Sequence, residues 1–162
     1  MIDSGKAIPS VPVKLVTAEG ISDVASNEVL GKGLVVLFSV PGAFTPTCHV
    51  HHLPSFLANE AKLRAAGVDR IVCAAANDPF VVKAWAEASG ALGPIDFIAD
   101  GEAALAEALG IAKHIPGMGK RYARAAMIVE NGTVKSSSLE DAPGINATGA
   151  PAILMALEAA KV

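Results

Sequence analysis

One cysteine in this chain stands where a sulfur nucleophile would be built: Cys48, with Thr45 three residues and Pro41 seven residues before it, in Val40-Pro-Gly-Ala-Phe-Thr-Pro-Thr-Cys48. Only the thiolate attacks an electrophile, so the question for such a residue is what favours the anion. The apolar run Leu34-Val-Val-Leu-Phe38 reads as a buried strand, Pro41 to Pro46 as a rigid loop, and Cys48 falls where a following helix opens. Free backbone N–H groups and aligned peptide dipoles at a helix start favour negative charge and lower a cysteine pKa. The same reading requires the sulfur to be open to solvent.

The second cysteine, Cys73, lies inside Arg70-Ile-Val-Cys-Ala-Ala-Ala76 and reads as a small buried hydrophobe on a strand. Its other role would be to resolve an oxidised Cys48 as a disulfide partner, which needs proximity or local unfolding. The pair has neither zinc-site nor Cys-x-x-Cys spacing. His49, His51 and His52 next to Cys48 raise a zinc or copper reading. His49 and His51 would point to different sides of a helix or strand, and a metal would occupy the lone pair the nucleophile needs, so no metal is assigned. Gly117-Met-Gly-Lys120 lacks the phosphate-loop pattern, with His114 and Arg121 at its defining positions, and no Gly-x-Ser-x-Gly elbow exists. Gly117 and Gly119 read as a flexible loop, and His114 as a surface loop residue.

The elements that must position these groups alternate. Strands are predicted over Val11–Val16, Leu34–Val40, Arg70–Ala75, Ile95–Ala99, Ala125–Val129 and Thr133–Ser137. Helices are predicted from Leu53 to Leu63, Phe80 to Ala88, Glu102 to Leu109 and Pro151 to Lys161, with a kink near Pro54, which cannot donate to the Val50 carbonyl. Alternation of this kind implies parallel strands, and Asn131-Gly132 adds an antiparallel hairpin. The fold class is α/β, a mixed central sheet flanked by helices with the cysteine at a strand-to-helix turn, the thioredoxin-like arrangement. At 162 residues the chain reads as one domain, 1–162. Hydrophobic residues make up 52% and mean hydropathy is +0.45, yet no apolar run approaches the roughly 18 residues of a membrane span. A net charge of −3 without a basic block argues against nucleic acid. Met1-Ile-Asp-Ser-Gly-Lys6 carries no secretory pattern, which points to the cytoplasm, although an organellar mature form would read the same.

Pro41-Gly-Ala-Phe-Thr-Pro-Thr-Cys48, followed by His52-Leu-Pro-Ser-Phe56, resembles the active-site signature of peroxiredoxins, and of their type 5 (type II) subfamily in particular. The likeness continues through Asn77-Asp-Pro-Phe80, Ala84-Trp-Ala86, Phe97-Ile-Ala-Asp100 and Arg121-Tyr-Ala-Arg124. It implies a thiol-dependent peroxidase without a bound cofactor, acting on hydrogen peroxide and alkyl hydroperoxides. Cys48 would be the peroxidatic cysteine and would pass through a sulfenic acid. Thr45 would donate to the peroxide oxygens, Pro41 would shield the pocket, and Arg124 would hold the sulfur's charge and orient the substrate. Gly42, Phe44 and His52 would complete the binding site. Arg121 competes with Arg124 should the alignment slip. Without the resemblance, Thr45 reads as a turn residue and Arg124 as a solvated strand-end charge.

Many subfamily members carry a second cysteine near the C-terminus, but Ser136 to Val162 contains none, so the resemblance implies a single-cysteine enzyme. An external thiol, glutathione with glutaredoxin or a thioredoxin, would reduce the sulfenic acid. Relatives pair as homodimers; Phe44, Phe80 and Trp85 are candidates for that contact, with core packing as the competing role. The alternative function is a redox sensor or thiol chaperone that relays oxidation to a partner protein. Under either function His49 and His51, near a thiolate, would adjust its pKa or the access of reductant.

Overall fold

The computed structural model of the chain describes residues 1–160. Its central strand is β3 (Leu34–Val40), whose continuous apolar run is explained by burial on both faces. Val36, Phe38 and Val40 enter one apolar layer, and Val35 and Leu37 enter the other. β4 (Arg70–Ala75) runs parallel to β3 and divides in the same way, with Ile71, Cys73 and Ala75 in the first layer and Val72 and Ala74 in the second. β5 (Asp96–Ala99) is parallel to β4, and β1 (Pro12–Thr17) is antiparallel to β5 with β2 (Gly20–Ala25) at the edge. On the other side of β3 lie β8 (Ala125–Glu130) and β9 (Thr133–Leu139), both antiparallel to their neighbours. The sheet order is β2-β1-β5-β4-β3-β8-β9.

Helices cover both faces. α2 (Leu53–Ala58), α3 (Glu60–Ala65), α4 (Pro79–Ala88) and α6 (Ala150–Ala159) bury Leu53, Phe56, Leu63, Trp85, Ile153 and Leu157 in the first layer. α1 (Ser26–Leu30) and α5 (Ala104–Ala108) bury Val29, Leu30 and Leu105 in the second. The mixed sheet flanked by helices is the expected architecture. Asn131 (φ 49°) and Gly132 (φ 82°) both adopt the left-handed conformation that a two-residue hairpin requires.

Several expectations need correction. β2 and the separate hairpin β6 (Ala112–Ile115) and β7 (Gly119–Tyr122) are strands that hydropathy did not reveal, because their segments mix polar with apolar residues and bury only Tyr122. Gly117 and Gly119, both at positive φ, therefore make the tight turn of that hairpin rather than a flexible loop, and His114 sits on β6. The helix after Cys48 begins with a π-helical turn, Cys48–His52, in which the Leu53 N–H reaches back to the Cys48 carbonyl. That widened turn stands directly before Pro54, whose missing N–H leaves the regular ladder incomplete. Asn59 then leaves helical geometry and splits the predicted Leu53–Leu63 helix into α2 and α3. The predicted last residue of the C-terminal helix, Lys161, lies outside the described residues.

Candidate active site

Cys48 lies in the first turn of the helical segment that follows β3, with Pro46 before it at a position where a helix tolerates a missing N–H. The loop that delivers it is pinned at several points. The Asn77 side chain accepts from the Ala43 N–H at 3.0 Å, and the Thr45 hydroxyl donates to the Gly42 carbonyl at 2.6 Å. The Thr45 carbonyl accepts the His49 N–H at 2.8 Å, the first helical bond. Gly42 is closely packed: a Cβ there would stand 3.0 Å from both Arg121 Nη1 and Thr45 Cγ2, and those side chains would have to give by a few tenths of an ångström. Phe44 takes φ 60°, a left-handed conformation uncommon for a bulky residue, and is half exposed with its ring 5.7 Å from that of His49.

The partner of the sulfur comes from the far end of the chain. The antiparallel register of β3 with β8 pairs Ser39 with Ala125, so the residue before Ala125 lies beside the end of β3. Ser39 Oγ donates to the Ala123 carbonyl at 2.8 Å and steadies that approach. From there Arg124 Nη2 donates to Cys48 Sγ at 3.1 Å, and Nη1 bonds His52 Nδ1 at 2.8 Å. Arg121 faces elsewhere, donating to the carbonyls of Met118 (3.1 Å) and Pro41 (3.4 Å), so it braces the loop and does not meet the sulfur.

His52 is buried against Phe38 and Phe56, and its Nε2 lies 2.9 Å from the Thr148 carbonyl. A carbonyl only accepts, so the proton is on Nε2, and Nδ1 is left with a lone pair for Arg124. Burial pulls the imidazole down from 6.5 to about 4, the Thr148 carbonyl opposes this, and the Arg124 charge adds to the lowering. The ring is neutral at ordinary pH, as an acceptor must be. Two like groups would otherwise compete for the same space.

Cys48 is fully buried, which corrects the expectation of a solvent-open sulfur. A cavity of about 300 Å³ is lined by Arg124, whose guanidinium meets the sulfur, and by Pro41, Thr47, Lys113 and Glu140 among others, but not by Cys48. Access to sulfur therefore requires a displacement of the side chains between that cavity and Sγ, and a small substrate asks for the least. Thr45 also differs from expectation. Its hydroxyl proton is engaged by Gly42, so toward the site it presents lone pairs rather than a donor. Trp85 is core and gives its indole N–H to His49 Nδ1 at 3.0 Å, while Phe80 is 75% exposed. Cys73 shares the first apolar layer with Cys48, and burial pushes its thiol well above the ordinary value. Among the described residues no cluster of three His, Cys, Asp or Glu is arranged to hold a metal.

Sequence reasoning did not find Thr148, Glu140 or Ser39, and it quoted Asn77 without a role. Only Asn77 and its neighbour carried a local signal: Asp78, ahead of Pro79, accepts from the Phe80 and Val81 N–H groups as a helix cap.

Comparison with known proteins places this geometry in context. The redoxin family model matches residues 3–154. The chain is 42% identical over 143 residues to peroxiredoxin-2E-2, chloroplastic, of Oryza sativa subsp. japonica, covering 85% of this chain and 63% of that protein. It is 36% identical over 161 residues to peroxiredoxin-2F, mitochondrial, of Arabidopsis thaliana, covering 94% and 80%. Among solved structures, reduced Prx3 from Vibrio vulnificus in complex with H2O2 superposes with a TM-score of 0.91 at 39% identity, covering 97% of this chain and 99% of that one.

Proposed function

The chain belongs to the redoxin family, as a type 5 (type II) peroxiredoxin and hence a thiol-dependent peroxidase, and from that premise we propose that Cys48 is its peroxidatic cysteine, working by a single-cysteine route. The observation that carries this reading is the contact of Arg124 Nη2 with Cys48 Sγ, made by a guanidinium whose other nitrogen is held on His52. That contact sets a charged donor against the atom that attacks the peroxide. The thiolate attacks one peroxide oxygen, the O–O bond breaks, and the other oxygen leaves as water or an alcohol after gaining a proton. Sulfur is oxidised to a sulfenic acid and the peroxide is reduced. Negative charge moves from sulfur to the departing oxygen, and a guanidinium within reach of both stabilises the transition state more than the ground state. Thr45 Oγ1 accepts from the peroxide O–H and so orients it, Gly42 leaves the space, and Pro41 and Phe44 form the rim. Hydrogen peroxide and small alkyl hydroperoxides suit a sulfur this enclosed, and the relative with bound H2O2 supports the former.

Cys73 is not suited to resolving the sulfenic acid. It lies on β4, hydrogen-bonded between β3 and β5, with its thiol held protonated by burial. An external thiol completes the cycle: glutathione with glutaredoxin, or a thioredoxin. The exposed Phe44 and Phe80 support a homodimer that covers them. The family match over most of the chain supports reading it as one domain. The relatives include a chloroplastic and a mitochondrial form, and no described helix is long and apolar enough to cross a membrane.

Stopped-flow oxidation of the prereduced protein by hydrogen peroxide tests the assignment. Cys48→Ser is expected to abolish the fast phase and Cys73→Ser to leave it nearly intact. A fast phase that survives the first substitution, or is lost with the second, refutes the division of roles.

A further inference from the structure

Behind the guanidinium stands a second tier of contacts that the peroxidase reading does not use. Glu140, just past the end of β9, is bonded to Arg124 directly and reaches His52 only through Thr148. Its backbone N–H donates to the Arg124 carbonyl at 2.9 Å, continuing the β8–β9 ladder by one bond. Its carboxylate reaches the opposite way and collects the Ala147 N–H (3.0 Å to Oε2), the Thr148 N–H (3.2 Å) and the Thr148 hydroxyl (2.9 Å). Those bonds fix residue 148, fully buried, with its carbonyl 2.9 Å from His52 Nε2.

We propose that Glu140 is a positioning residue of the peroxidatic site: by clamping Thr148 it holds His52 in the Nε2-protonated tautomer, and the free Nδ1 then aims Arg124 at Cys48. The proposal rests on the reading of Cys48 as the nucleophile. The chain of logic is one of donors and acceptors. Without the clamp the Thr148 carbonyl is free to move away from Nε2, the imidazole can carry its proton on Nδ1, and an N–H there opposes the Arg124 N–H instead of accepting from it. The guanidinium then loses one of its two anchors, and Nη2 no longer has a fixed place at Sγ. Glu140 is itself kept ionised: partial burial works against the charge, but the N–H groups of Ala147, Thr148 and Asn146 and the Thr148 hydroxyl outweigh it and lower its pKa. The hydrogen bonds of the carboxylate go to Ala147 and Thr148, so its hold on the guanidinium runs through Thr148 and His52.

The test uses Glu140→Ala and Glu140→Gln in the full chain, with two readouts: the second-order rate of Cys48 oxidation by hydrogen peroxide, and the ¹⁵N signature of the His52 ring. Misplacement of a transition-state donor by a fraction of an ångström to 1 Å is expected to slow Glu140→Ala by about 10- to 100-fold. His52 in that variant loses its single Nε2–H form, a change that a general loss of stability would not produce. Glu140→Gln keeps one carbonyl oxygen for Thr148 and is expected to lie between the two. Wild-type rate in Glu140→Ala, or a slowed rate with His52 still wholly Nε2-protonated, overturns the proposal. Should the alanine variant not fold, Glu140→Gln decides on the same criteria, with either readout unchanged counting against it. Cys48→Ser measured alongside separates this from the underlying assignment, because a fast phase there refutes the nucleophile whatever Glu140 does.

Discussion

Removing the Arg124 guanidinium while keeping the length of its side chain, as in Arg124→Met, should slow peroxide reduction far more than it lowers stability. A unit pair 3.1 Å apart interacts by about 5 kcal/mol at an effective dielectric near 20, which bounds the gross effect at Sγ. Much of that is shared by the resting thiolate and does not accelerate anything. What counts is the difference as charge passes to the leaving oxygen, and loss of one preoriented donor at such a site costs about 2.7–4 kcal/mol, or 10²- to 10³-fold in rate. Arg124→Lys keeps a charge but has one nitrogen where the structure uses two, one on sulfur at 3.1 Å and one on His52 at 2.8 Å, so only part of the loss is recovered. The assay is stopped-flow reaction of prereduced protein with hydrogen peroxide, followed through Trp85, the single tryptophan. Alkylation by iodoacetamide, measured in parallel, reads the nucleophilicity of sulfur without an oxygen leaving group. The peroxide rate should therefore fall further than the alkylation rate. An Arg124→Met variant that reduces peroxide within about threefold of the wild-type rate would refute the reasoning, since that is well below the loss of a single donor.

His52 makes a pH signature. Its folded value of about 4 lies below the unfolded 6.5, so the unfolded state binds more protons between these values; stability is full above about pH 6.5 and falls by about 3 kcal/mol on the way to pH 4. Urea melts at pH 7 and pH 4.5 should show this loss in the wild type and a flatter response in His52→Gln; equal slopes would contradict it. Asp100 is buried and accepts from the Ala104, Leu105 and Ala106 N–H groups and from the Tyr122 hydroxyl at 2.7 Å, so Asp100→Ala, which leaves them unpaired, should cost about 3 kcal/mol. Thermal melting checks that figure as a Tm lowered by about 6–12 °C, and a shift under 2 °C would count against the role. Gly42→Ala places a methyl 3.0 Å from Arg121 Nη1 and Thr45 Cγ2 and 3.2 Å from Met118 Cε. It should reduce the peroxide rate about tenfold by shifting the loop, and a normal rate would show that the loop yields without cost.

Signals that depend on short stretches of chain were legible in the residues themselves. The cysteine loop is one: Pro41, Thr45 and Cys48 lie within eight residues, and their rigid-loop and helix-start preferences act locally. β3, β4 and β8 are apolar because both faces of the sheet are covered, and burial of that kind leaves its mark on composition. Asn131-Gly132 specifies its hairpin through backbone conformation alone. The family likeness carried the rest, including the preference for Arg124, which in isolation reads as a solvated charge.

Tertiary structure decided what two distant segments do to each other. The choice between Arg121 and Arg124 is made by the β3–β8 register, which brings residue 124 to the end of β3 and leaves residue 121 on the neighbouring hairpin. β2, β6 and β7 carry no clear alternation, since they bury only Tyr122 among them and a partner strand completes their hydrogen bonds. The burial of the sulfur and the run from Glu140 through Thr148 and His52 to Arg124 are likewise products of assembly. That run depends on donors meeting acceptors up to 96 residues away, as His52 meets Thr148. Local propensity has no term for such a meeting, whereas packing of the two apolar layers fixes it to a fraction of an ångström.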